Sequence, residues 1–133
     1  MKTLATFLAV CSLTFLPFSG CASRQVVPVH DQVLTYDLAM DLTYLRAIEA
    51  IEQVPDWVPD MTDKEKGQMR ARNTNYSRFD DSDQRVVMIQ LTRIDRNKTS
   101  VRLAPESQRV VGGDILLAAI DRSLSQEVVR RNS

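Results

Sequence analysis

The chain has 133 residues, with 17 lysines and arginines against 17 aspartates and glutamates, so its formal charge at neutral pH is zero. A nucleic-acid partner needs a basic excess or a concentrated basic patch to neutralise phosphates, and this composition supplies no excess. The length suits one small domain. Two cysteines and one histidine leave little for thiol, triad or histidine-metal chemistry.

In chain order, the first feature is an apolar stretch. Lys2 gives a short basic start, and Leu4 to Phe18 follow with polar residues only at Thr6, Ser12 and Thr14. A membrane-spanning helix needs about 20 apolar residues, and this run is shorter. An ordinary secretory signal ends in an A-x-A-like site. Ser19-Gly20-Cys21 differs from that, although Ser23 keeps an ordinary cleavage site in play.

Phe18-Ser19-Gly20-Cys21 resembles the lipobox of a bacterial lipoprotein signal peptide, with Phe18 where the family usually has leucine. The resemblance implies that the Cys21 thiol receives a diacylglycerol. Residues 1–20 are then removed as the signal peptide, and the new amine is usually acylated. Each buried methylene contributes about 0.8 kcal/mol, and one acyl chain alone holds only marginally. Two or three chains on one residue would hold firmly. The location implied is the cell envelope. Because Ala22 is not aspartate, the resemblance favours the periplasmic face of the outer membrane in a Gram-negative host. On this reading Cys11 is discarded and Cys21 is alkylated, so no thiol remains. Residues 21–133 then carry 16 basic and 17 acidic side chains, because Lys2 is the only charge removed.

Residues 21–32 read as a lipidated tether and residues 33–133 as a single domain. The eleven residues from Ala22 to Gln32 reach about 35 Å when extended, and Val26-Val27-Pro28-Val29 is a candidate edge strand. Val33-Leu34-Thr35-Tyr36 has strand composition. A helix over Leu38 to Gln53 follows, capped by Asp37 or Asp41. Leu38, Leu42, Leu45, Ile48, Ile51 and Val54 form its apolar face, with Arg46, Glu49 and Glu52 opposite. Pro55 stops it. Val54 to Lys66 reads as a charged, proline-containing loop around the only tryptophan, Trp57. That residue is either folded onto the core or exposed as a partner hot spot.

Three strands then read as a meander: Gln68 to Tyr76, Arg85 to Ile94 and Thr99 to Ala104. Met69, Ala71, Val101 and Leu103 point one way, and Arg70, Arg72, Ser100 and Arg102 the other. Asp95-Arg96-Asn97-Lys98 makes the turn between the last two strands. A final helix begins near Asp114, with Leu116, Ile120, Leu124 and Val128 inward and Ile115 and Ala119 beside them. Arg130 and Arg131 complement its dipole. The expected fold is α+β: a two-layer sandwich in the order β-α-β-β-β-α, with two helices on one face of a small antiparallel sheet.

The clusters that could carry chemistry have plain structural readings beside them. Asp80-Asp81-Ser82-Asp83 could hold a calcium ion, but it lacks EF-hand spacing and fits a solvated turn. Asp60, Asp63 and Glu65 alternate with Lys64 and Lys66 as a solvated loop would. His30 is isolated in the tether. Gly112-Gly113 precedes a helix without a phosphate-loop motif, so it reads as a turn. Asn97-Lys98-Thr99 matches a glycosylation sequon, but beside a bacterial lipobox it reads as a hairpin turn. Arg70, Arg72 and Arg102 on the open sheet face could meet lipid phosphates or an acidic partner, or be an ordinary wet surface.

No catalytic constellation, cofactor or metal site is expected. Cys21 is the one assigned site, as lipid attachment point. The expected function is that of a membrane-anchored envelope lipoprotein, a non-catalytic accessory or scaffold protein acting through an envelope protein partner. The alternative is a small-ligand or lipid-binding module with its cavity between helices and sheet. Convergence of Tyr36, Tyr44 and Tyr76 with acids in an enzyme site has no sequence signal behind it.

Overall fold

Alternating apolar and polar side chains build a five-stranded antiparallel sheet in the computed structural model, which describes residues 28–75 and 85–133. Cys21, Val26, Val27, Tyr76 and the Asp80-Asp81-Ser82-Asp83 cluster lie outside the described residues. The elements are β1 (Val33–Tyr36), α1 (Met40–Glu52), β2 (Trp57–Asp63), β3 (Gln68–Asn73), β4 (Val86–Asp95), β5 (Lys98–Leu103), a 3-10 turn (Pro105–Ser107) and α2 (Gly113–Asn132). The strands lie in the order β1-β5-β4-β3-β2. The two helices cover one face, so the fold is a two-layer α+β sandwich.

One element departs from the expected order. Val54 to Lys66 is not all loop, because it contains β2, and the order is β-α-β-β-β-β-α. This strand pairs only with β3, at the sheet edge. Edge strands tolerate proline, and Pro59 sits within it. The pairing register shifts between Pro59 and Met61. A proline and a bulge both protect an exposed edge from pairing with other chains, and both disrupt the alternation that would reveal a strand. Trp57 is buried at the start of β2. Pro28 to Gln32 form no strand.

The inward faces of the central strands agree with the alternation. Met69, Ala71, Val87, Ile89, Val101 and Leu103 are all fully buried. From α2, Leu116, Leu117, Ile120 and Leu124 pack onto them. Burial of a side chain the size of valine or leucine stabilises the fold by about 1.5–3 kcal/mol.

Helix α1 turns inward a face rotated from the one expected: Leu38 and Ile51 of the expected stripe are fully buried, but the rest of it lies toward the flank. Met40, Thr43, Tyr44, Ala47, Ala50 and Ile51 are buried, whereas Leu42 and Ile48 are only partly covered and Leu45 is 52% exposed. Ala47 and Ala50 are small enough to let the helix approach its neighbours closely, which moves the larger leucines to its flank. Neither aspartate caps it: Ala39 holds the N-cap position with no side-chain bond. Asp37 instead lies 3.8 Å from Lys98 Nζ. Asp41, in the first turn, is where a carboxylate favours the helix dipole.

Helix α2 likewise begins differently from expectation. Gly112, not Asp114, is the N-cap, in a left-handed conformation with φ of +92°. A Cβ at this position would sit 2.7 Å from the Trp57 ring. Glycine is therefore required twice, by backbone conformation and by the close approach of the tryptophan. Ile115 is 55% exposed rather than packed beside the stripe.

Candidate functional site

Two surfaces bring polar side chains together. The first is a groove of about 760 Å³ between α1 and α2, on the side of the helices away from the sheet. Ala50, Ala118 and Ala119 give it room, and Val54, Pro55 and Ile115 line it together with charged residues. Among its lining residues is Glu127, a carboxylate whose side chain is only 9% exposed. Glu127 accepts a hydrogen bond from Arg130, one turn later on α2. Arg46 of α1 places its Nε 3.2 Å from the same carboxylate oxygen, and its Nη1 donates to Glu49 at 2.6 Å.

The sequence pattern puts Arg46 on the solvent side and does not single out Glu127. A signal is nevertheless present. Glu127 follows Leu116, Ile120 and Leu124 at helical spacing, so it falls on the inward stripe. A charge in that stripe has to find a partner, because an unpaired buried carboxylate is costly. The Arg130 hydrogen bond, then the charges of Arg130 and Arg46, hold the Glu127 carboxyl below the usual carboxylate range, against the opposing effect of burial.

A group whose folded-state pKa is depressed stabilises the fold above its unfolded value, near about 4.3 for glutamate, and loses that contribution as pH falls through its folded value. Urea denaturation of the parent and of Glu127→Gln is therefore expected to show the largest stability difference near neutral pH. The difference should shrink on acidification below about pH 4. A gap that stays constant with pH would contradict the role given to Glu127.

The second surface is the open sheet face. In register, Val33, Arg102, Gln90 and Gln68 form one row across it. Met88, Arg70 and Met61 form the next, and Val86, Arg72 and Val58 the third. Arg70 pairs with Asp60 at 2.8 Å. Gln68 and Gln90 bond side chain to side chain at 3.1 Å. The structure thus places Arg70, Arg72 and Arg102 together on the side that the alternation indicated.

The remaining candidates are dispersed and locally paired. Asp63 accepts the Lys66 backbone N–H at 3.0 Å and pairs with Lys66 Nζ at 3.2 Å. These bonds hold its carboxyl below the usual range, the backbone N–H first. Lys64 pairs with Asp41. The His30 backbone N–H donates to the Gln108 carbonyl at 2.8 Å. Asn97 lies in the β4–β5 turn, where its backbone N–H donates to Asp95.

Tyr36 and Tyr44 go to different partners. The Tyr36 hydroxyl donates to Asp121 Oδ1 at 2.6 Å. Burial first, then that bond, pushes its phenol well above the usual tyrosine value. Tyr44 donates to the Gln68 carbonyl at 3.2 Å, and burial raises it as well. Both phenols are thereby held as protonated donors within the fold.

Among the described residues no group of histidine, cysteine, aspartate and glutamate side chains could hold a metal ion. No helix among them is long and apolar enough to cross a membrane. Comparison with protein-family models found no match, and comparison with curated proteins found no significant relative.

Proposed function

We propose that the chain is a bacterial envelope lipoprotein, anchored by lipid at Cys21, that acts by binding rather than by catalysis. The observation that carries this reading is the Phe18-Ser19-Gly20-Cys21 sequence at the end of a short apolar stretch behind Lys2. The state of the polar groups supports the non-catalytic part. Glu127, Asp121 and Tyr36, the best-placed acid–base candidates, are each engaged with another side chain. The groove's three arginines, Arg46, Arg122 and Arg130, stand among three acids, Glu49, Asp114 and Glu127, and Glu127 is held as an ion by Arg130 and Arg46.

An accessory or scaffold role suits a domain held near the membrane by a short tether. The test is capture of the native protein from detergent-solubilised membranes. Recovery of one envelope protein at fixed stoichiometry is expected, and repeated recovery of the chain alone would count against the reading. A ligand-binding module has weaker support. The layer between helices and sheet is filled by Leu38, Ile51, Leu91 and Leu117, all 1% exposed or less. The open groove lies outside that layer.

A further inference from the structure

We propose that the open sheet face at the β1 end is a membrane-facing surface, its arginines resting on the anionic phospholipid head groups of the membrane that holds the anchor. The proposal rests on the Cys21 reading. The tether enters the fold at a definite place. The His30 N–H bonds Gln108, just after β5 and its 3-10 turn, and Val33 pairs with Arg102. From Cys21 to Pro28 is seven residues of chain, which span at most about 25 Å. The start of β1 is thus kept within reach of the anchor, and the sheet face at that end can meet the lipid.

That surface has the right chemistry. Starting from Val33 and Arg102, the rows toward this end of the sheet hold Arg70 and Arg72 with Met88, Val86, Met61 and Val58. Val33, Val58 and Met61 are 55%, 37% and 36% exposed. Arg70 has Asp60 beside it, but Arg72 and Arg102 form no ion pair among the described residues. Planar guanidiniums grip phosphate oxygens with two parallel bonds. Apolar side chains between them suit the boundary where head groups meet acyl chains. The row toward the opposite end of the same face holds Thr35, Ser100 and Thr92, without arginine.

Magnitude explains why a tether is needed. Each basic side chain near an anionic surface strengthens binding about fivefold, so the arginines together give roughly 100-fold. That is too little to hold a free domain. It is enough to orient one that a short linker already keeps at millimolar effective concentration. The contact therefore sets which side of the domain faces the membrane and leaves the helical side, with its groove, toward partners.

The test couples residues 21–133 through Cys21 to a maleimide lipid in nanodiscs that contain a head-group spin label. Chemical coupling makes the result independent of whether cells acylate Cys21, which mass measurement of the native protein reads separately. With phosphatidylglycerol present, methyl resonances of Val33, Val58, Met61 and Met88 should broaden while Leu45 and Val129 on the helices stay sharp. In phosphatidylcholine alone, or with Arg70→Gln, Arg72→Gln and Arg102→Gln combined, that contrast should vanish. Unchanged Leu45 and Val129 shifts would show that the variant is folded. Equal broadening on both faces overturns the proposal. So does indifference to lipid charge, the result expected if the face docks a protein or if Asp80, Asp81 and Asp83, between β3 and β4 in the chain, neutralise the arginines.

Discussion

Gly67→Ala is expected to destabilise the domain by about 3 kcal/mol and to lower its melting temperature by roughly 15 °C. Gly67 closes the β2–β3 hairpin with φ of +64°. A side chain in that left-handed region costs about 1–2 kcal/mol. The larger problem is space. A Cβ there would lie 2.4 Å from the Leu91 carbonyl oxygen and 2.7 Å from the Met40 methyl. The carbonyl is backbone in the sheet and cannot swing aside as a side-chain tip can. The Gly67 carbonyl also accepts the Leu91 N–H at 2.7 Å, so movement of the hairpin strains the backbone bond that docks it on β4. Thermal unfolding followed by circular dichroism measures this directly. A loss below about 1 kcal/mol, well short of the combined conformational and steric cost, would show that the hairpin shifts freely.

The second large effect is expected from Ile120→Ala, at about 2–5 kcal/mol. Ile120 is fully buried at the centre of the α2 stripe, within the cluster that joins α2 to the sheet and α1. Truncation removes the side chain beyond Cβ and leaves a cavity that the surrounding strands and helix close only in part. The consequence is amplified if residues 1–20 are removed and Cys21 is acylated. No thiol then remains to form a stabilising disulfide, and the fold relies on its core. Domains of this size have a total stability near about 5–15 kcal/mol, so one cavity takes a large share. Urea denaturation should show a lower midpoint with an unchanged slope. An unchanged midpoint would mean that α2 is not the lid of the core.

Local patterning made much of the fold legible. Strict alternation along Gln68–Asn73 and Lys98–Leu103 separates inward from outward side chains without any structure, and the arginine face follows from it. Thr99 obeys the same alternation although it is polar. It is buried, and its hydroxyl donates to the Leu38 carbonyl at 2.9 Å.

What stayed hidden depends on neighbours. β2 is an edge strand interrupted by Pro59 and a bulge, so it lacks the alternation that strand recognition uses. The inward face of α1 is set by how closely Ala47 and Ala50 let it approach, and counting leucines rotates that face toward the exposed Leu45. Glu127 reads as one more surface acid until Arg46 arrives from the other helix. Gly67 and Gly112 are turn residues in sequence, but only the structure shows the Leu91 carbonyl and the Trp57 ring that exclude a side chain.

The proposed membrane anchoring through Cys21 is tested most directly by the intact mass of the chain extracted from native membranes. The expected species begins at Cys21, lacks residues 1–20, and carries a diacylglycerol with or without a further acyl group on that residue. Cys21→Ser should abolish both the lipid mass and the cut before residue 21. A membrane-extracted chain that retains residues 1–20, or one with an unmodified Cys21 thiol, would contradict it.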